Sequence, residues 1–238
     1  MASPRVAEIL AMVLARSSIG TPAAARLVEL CCHDLPVTGV GLALMTEDGP
    51  AGTVAATDAT ALTLEDLQFT LGEGPCVTAS NTGLPVLQPD LSRTALLRWP
   101  AFAAGAEAAG LAAVFALPLQ VGAIRLGVLD LYRTTAGVLS QEELADALCF
   151  ADAATTLLLD AQAQNSPWRL PLESLTVLDD RAEVHQATGV VSVHAAVTLQ
   201  DALLLMRARA YAEQRPIAEL AKDVLSGLVD FRTSRDDY

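Results

Sequence analysis

The stretch from Asp179 to Tyr238 constrains this chain more than any other part of it. It sets three short amphipathic segments between compact turns, with small apolar residues on one side of each and a few cations on the other. A unit of that size buries only a minimal core, which suits a binding head carried by a larger body better than a catalytic domain. Asp179 or Asp180 is placed to cap a first helix with Val184, Ala187 and Val191 inward. Thr198-Leu199-Gln200-Asp201 reads as a capping box for a second helix, with Ala202, Leu205 and Ala210 inward. Pro216 starts a third, with Ile217, Leu220, Ala221 and Val224 inward.

The preceding residues supply the body, and 238 residues make two modest domains the expectation. Ser3-Pro4 and Thr21-Pro22 each place a capping hydroxyl before a proline suited to the first helical position, predicting helices to about Arg16 and Cys32. Gly39 to Met45 and Gly52 to Ala56 read as strands around a turn at Glu47-Asp48-Gly49. Thr63-Leu64-Glu65-Asp66 is a capping box for a short helix through Phe69, and Leu71 to Cys76 is a glycine-rich turn. Leu84 to Gln88 reads as an edge strand, and Trp99-Pro100 opens a helix to about Ala109. Ala113 to Gln120 and Ile124 to Arg133 form a hairpin around Gly122, the second strand alternating in character. Ser140-Gln141-Glu142-Glu143 opens a long helix to about Gln164, and Pro167 and Pro171 mark a boundary. The fold class is α+β: an antiparallel sheet flanked by helices over 1–165, a linker over 166–178, and a small three-helix bundle over 179–238.

Composition narrows the chemistry. Apolar residues make up 52% and aromatics only 4%, so aliphatic cores are expected. No apolar run reaches the roughly 18 residues of a membrane span, and no leader pattern opens the chain, so a cytoplasmic location with no membrane partner is the expectation. Cys31, Cys32, Cys76 and Cys149 include no CxxC pair, and His33-Asp34 has no second cluster beside it. Buried thiols and no metal are expected. Cys76, after Pro75 at a helix start, reads as a packed core thiol, with redox sensing as the sharper alternative. The spacing offers no HExxH, no GxSxG and no histidine near a nucleophile, so neither an enzyme nor a bound cofactor is expected. Trp99 and Trp168 read as core or boundary anchors.

The net charge of −13 argues against general nucleic-acid affinity, but it is unevenly spread. Residues 1–165 hold 7 Lys/Arg against 17 Asp/Glu, whereas residues 166–238 hold 8 against 11. Within 203–222, Arg207, Arg209, Arg215 and Lys222 stand against Glu213 and Glu219. That asymmetry could keep a polyanion off everything but one face of the tail.

Two resemblances sharpen this. Residues 5–165 resemble a GAF domain of the actinobacterial regulator type, on Gln68 through Pro75-Cys76, Gly83-Leu84-Pro85-Val86, Asp90-Leu91, Trp99-Pro100, and the run Leu117-Pro118-Leu119 to Gly127-Val128-Leu129-Asp130-Leu131-Tyr132. Residues 181–224 resemble an ANTAR domain, on Gln186-Ala187-Thr188-Gly189, Asp201-Ala202 and Met206-Arg207-Ala208-Arg209-Ala210. The GAF resemblance implies a sensory or dimerising fold whose ligand pocket borders the Leu71–Gly74 turn, with an unidentified small molecule as possible ligand. The ANTAR resemblance implies RNA binding and transcription antitermination on paired hairpins of nascent RNA.

Recognition of hairpin loops requires cations for phosphate and polar or aromatic groups for splayed bases. The candidate RNA-binding residues are Arg181, His185, Gln186, Thr188, Arg207, Arg209, Tyr211, Arg215 and Lys222. Arg207 and Tyr211 share a helix face, whereas Arg209 lies about 200° round from Arg207. Thr188 stands where the ANTAR pattern carries a lysine, which weakens the expected phosphate footprint. The helix over 140–164 is apolar on much of its surface, predicting a homodimer through the GAF helices. The competing expectation is a dimeric small-molecule or protein-interaction sensor whose tail binds no RNA.

Overall fold

The computed structural model describes residues 3–15, 21–46, 49–162, 176–213 and 215–232, with backbone alone for 162 and 176–181. The chain divides into two compact units, Met1–Ser174 and Leu175–Tyr238.

The first unit is a five-stranded antiparallel sheet, β1 (Gly39–Thr46), β2 (Gly49–Ala56), β3 (Val86–Gln88), β4 (Ala113–Val121) and β5 (Ile124–Arg133), in the order β2-β1-β5-β4-β3. Strand periodicity sends alternate side chains to opposite faces. Val40, Leu42, Phe115, Leu117, Leu129 and Leu131 pack against helices α1 (Pro4–Ala15), α2 (Ala23–Asp34) and α7 (Gln141–Gln162). Ala43, Met45, Val114, Ala116, Val128 and Tyr132 pack against α3 (Ala59–Leu71), α4 (Pro75–Thr82), α5 (Leu91–Arg98) and α6 (Pro100–Ala108). With both faces covered, β5 is buried continuously from Leu126 to Arg133 and does not alternate with solvent as its sequence suggested.

Local chemistry accounts for most element ends. Ser140 and Glu143 close the expected capping box of α7: the Glu143 N–H donates to Ser140 Oγ at 3.1 Å, and the Ser140 N–H to Glu143 Oε2 at 2.8 Å. Trp99 is buried, its indole N–H donating to Thr78 Oγ1 at 2.9 Å. The glycine-rich turn is structural. Gly72 ends α3 in the left-handed region, and the Glu73 carboxylate accepts from the N–H groups of Ala101 and Phe102 to cap α6.

Three expectations are corrected here. The cap of α3 is Asp58, which accepts from the Ala61 N–H at 2.8 Å; Thr63 lies inside the helix and donates back to the Ala59 carbonyl. The N-cap of α2 is Pro22, with no side-chain cap from Thr21. Asp90, whose carboxylate accepts from the Ser92 N–H, starts α5, a helix that the sequence reading missed.

The second unit holds α8 (Thr176–Ala195), α9 (Leu199–Ala212) and α10 (Ile217–Leu225). Helix α8 begins before Asp179 and Asp180, so these are helical residues rather than caps. Thr198 caps α9 as expected, accepting from the Asp201 N–H at 3.1 Å. The turn between α8 and α9 changes direction by 103°, with Ala196 in the left-handed region at φ 53° and Ser192 Oγ donating to the Val197 carbonyl. Val184, Ala187, Val191, Ala202, Ala210, Ile217, Leu220, Ala221 and Val224 form the core as expected. Met206, not Leu205, completes it on α9; Leu205 is exposed.

Candidate functional site

Of the residues singled out on α8, His185 and Gln186 face solvent, two and one positions ahead of the buried Ala187. Thr188 does not join them. Its side chain is 5% exposed, its hydroxyl donates to the Val184 carbonyl at 2.7 Å, and Met206 Sδ lies 3.7 Å away. It is a packing residue between α8 and α9 and presents nothing to a phosphate, which corrects its place among the candidate contacts. The Arg181 side chain, Trp168 and linker residues 166–175 lie outside the described residues, while 176–178 belong to α8.

On α9, Leu204, Arg207 and Tyr211 share one face at helical spacing. Leu204 and Tyr211 are well exposed, whereas Arg207 is partly buried, and loss of hydration pulls its guanidinium below the usual arginine range. Arg209 lies on another face, as its spacing requires. Its Nε donates to Glu213 Oε1 at 2.7 Å, its Nη1 to the Asp230 carbonyl at 3.2 Å, and its guanidinium lies 5.1 Å from the Phe231 ring centre. Arg215 pairs with Asp223 and approaches Glu213 at 3.6 Å. Lys222 on α10 reaches Glu183 on α8 at 3.6 Å and is half exposed. The structure thus gathers Arg209, Glu213, Arg215 and Asp223 into one ion-pair chain. The local excess of cations read from 203–222 is offset by Asp223 just outside that window and by Glu183 on α8.

A second constellation, unforeseen from sequence, lies inside the first unit. Asp130 on β5 points to the α3–α6 side of the sheet and is completely buried. Its cross-strand neighbours are Gly41 and Ala116, both small, which leaves room for a side chain from the helical layer above the sheet. Glu65 from α3 takes that room: a Cβ on Gly41 would lie 2.1 Å from Glu65 Oε1. The Tyr132 hydroxyl donates to Glu65 Oε1 at 2.6 Å, Gln68 Nε2 donates to the Tyr132 oxygen at 3.3 Å, and the Cys76 N–H donates to Gln68 Oε1 at 2.9 Å. One ligand atom from each of Glu65, Cys76 and Asp130 lies within 4.8 Å of the other two. Burial first, then the Glu65 charge, pushes the Asp130 carboxyl well above its usual range, while nearby Cys76 and Gln68 act in the opposite direction. Despite that proximity, neither Asp130 oxygen meets a partner at hydrogen-bonding geometry. The Tyr132 hydroxyl is raised by the same causes, burial and then Glu65. A charged residue inside the apolar run Val128-Leu129-Asp130-Leu131 was the one signal in sequence that could have exposed this cluster.

An open groove of about 510 Å³ lies elsewhere on this unit, lined among others by Asp90, Leu96, Ala103, Glu107 and Leu111. It is bounded by α5 and α6 and not by the Leu71–Gly74 turn. Among the described residues, no single helix is long and apolar enough to cross a membrane.

No protein-family model matches the chain, and no curated protein matches it in sequence. Solved structures do. The GAF domain of an Acinetobacter phosphoenolpyruvate-protein phosphotransferase superposes with a TM-score of 0.50 at 10% identity, covering 68% of this chain and 95% of that one. The corresponding GAF domain from Coxiella burnetii gives 0.47 at 15% identity over 68% and 98%. A GAF domain/HD domain protein from Geobacter sulfurreducens gives 0.47 at 15% identity over 63% and 100%. At these identities the likeness concerns the fold alone, and the first of these superpositions carries it: the sheet with its two helical layers is a GAF fold.

Proposed function

We propose that the chain is a signal-responsive regulator in which the GAF unit senses and the three-helix unit binds RNA, acting by transcription antitermination on paired hairpins. The observation that carries this reading is the outward placement of His185 and Gln186 on α8 and of Tyr211 on α9, on a small helical unit with a core of small and aliphatic residues. Polar edges and an exposed aromatic ring are the groups that read unpaired loop bases. Arg207 and Lys222 supply charge, and Arg209 and Arg215 add to it when phosphate displaces their carboxylates. The groove beside α5 and α6 has the size of a small-molecule site. Most of the apolar surface of α7 is buried against the sheet and α1, which leaves Leu148 and Leu159 on its outer side as the pairing stripe for a homodimer.

One observation favours a second reading. Val193, Leu199, Leu204, Leu205 and Leu228 are exposed on the helical unit, and its cations are largely paired with carboxylates. Both features suit a protein-binding output that takes no RNA. A gel-shift series on the full chain with a two-hairpin RNA separates them. On the first reading the wild type shifts this RNA, scrambled loops abolish the shift, and Tyr211→Ala weakens it about tenfold through a lost stacking contact. A shift indifferent to loop sequence, or none at low salt, ends the RNA reading.

A further inference from the structure

We propose that Glu65, Cys76 and Asp130 form a binding site for a divalent transition-metal ion of the Zn2+ or Fe2+ type, held inside the GAF unit between β5, α3 and α4. This inference is independent of the RNA reading. Three donors from three separate elements converge with one ligand atom each inside 4.8 Å, and all three residues are buried. Metal–ligand bonds of about 2.0–2.3 Å in a tetrahedral arrangement set donors about 3.5 Å apart. Side-chain adjustments on the order of 1 Å therefore close this cluster around an ion.

The second, separate observation is Asp130. Both its oxygens are shut off from solvent without a partner at hydrogen-bonding geometry, and the carboxylate converges with that of Glu65 and with the Cys76 thiol. In its ionised form a buried carboxylate without a counter-charge is strongly unfavourable, and a second carboxylate beside it adds repulsion. A divalent cation answers both. Small residues opposite Asp130 let the cluster form: Gly41 admits the Glu65 side chain, which a Cβ there would meet at 2.1 Å, and Ala116 is the neighbour on the other strand. The neighbours also behave as an outer shell. Tyr132 donates to Glu65, Gln68 steadies Tyr132, and the amide oxygen of Gln68 is fixed by the Cys76 N–H. A thiolate beside two carboxylates discriminates against Mg2+ and Ca2+, which take oxygen donors, and favours borderline ions. Three protein donors leave a position for water or an exogenous ligand, the arrangement of responsive rather than purely structural sites.

The test uses the full chain, stripped with chelator, kept reduced, and titrated with Co2+. Expected are saturable binding of one ion per chain, thiolate-to-cobalt charge-transfer absorption in the near ultraviolet, and a raised Tm. Cys76→Ala abolishes the absorption, and Asp130→Asn and Glu65→Gln each weaken binding at least tenfold. A combined Cys31→Ser, Cys32→Ser, Cys149→Ser variant retains all three signals. Asp130→Asn also guards against misfolding as an explanation, since it removes the buried charge; its metal-free Tm should equal or exceed that of the wild type while its Co2+-dependent gain is lost. X-ray absorption of the wild-type complex should show one sulfur and at least two oxygen neighbours. A charge-transfer band surviving in Cys76→Ala, a shell with no sulfur or with more than one, or no saturable binding would overturn the site.

Discussion

Thr188 turns its hydroxyl back to the Val184 carbonyl and lies against Met206, although its neighbours in the motif, His185 and Gln186, are in solvent. Helical periodicity explains the split: Val184, Ala187, Thr188 and Val191 lie along one face, and residues 185 and 186 along another. The ANTAR-like pattern would put a lysine at 188. In this packing Thr188→Lys drives an ammonium toward a nearly closed interface between α8 and α9, and the long stem must bend outward for the charge to reach water. The expected loss is about 2 kcal/mol of stability in the helical unit. Hydrogen exchange of the α8–α10 amides should speed by about thirtyfold, with no gain in RNA affinity. Unchanged exchange together with tighter RNA binding would show that position 188 belongs to the nucleic-acid face after all.

At the scale of elements, β5 sets the most demanding constraint. Gly127 passes so close to β1 that a Cβ would lie 2.2 Å from the Ala43 carbonyl oxygen, a backbone atom that cannot swing away. Gly127→Ala must therefore separate β1 from β5 or break the ladder, and should cost about 3 kcal/mol, measured as a fall in the urea midpoint with unchanged slope. A loss under about 1 kcal/mol would mean that the two strands shear apart easily. The hairpin of β4 and β5 and the Ser140 cap were legible in sequence because each is decided by residues a few positions apart. The start of α3 was not, because two capping signals compete, and Asp58 had already begun the helix that Thr63 seemed to open. On α9, Leu205 and Met206 differ by one position at a steep edge of the buried face, and only the packing of α8 and α10 decides which turns inward. The Glu65–Cys76–Asp130 cluster was illegible for a stronger reason: no short window contains it, and it exists only once β5, α3 and α4 have met.

Over the whole molecule, the charge of −13 and the binding of a polyanion conflict unless cations are concentrated and available. They are concentrated, but availability is restricted. Glu213 holds Arg209 at 2.7 Å and Arg215 at 3.6 Å, so one carboxylate restrains two of the candidate cations at once. If both stay with their partners when RNA binds, phosphate is met by Arg207 and by Lys222 turning from Glu183, and the logarithmic salt slope should be about −1.5. If phosphate displaces the carboxylates, four cations take part and the slope should approach about −3. Glu213→Gln distinguishes the cases: residue 213 is the C-cap of α9, but it caps through its backbone N–H, which the substitution keeps, and the core is untouched. On the RNA reading it frees both guanidiniums, so affinity at low salt should rise several-fold, the slope should steepen, and the gain should disappear as salt is raised. A protein-binding output predicts the opposite pattern: no RNA shift in either form, and a partner interaction sensitive to the exposed Leu204 and Leu205 rather than to position 213. The paired cations then act as solvated ties within the helical unit, individually weak because solvent screens them, and the regulation lies in what covers the apolar face.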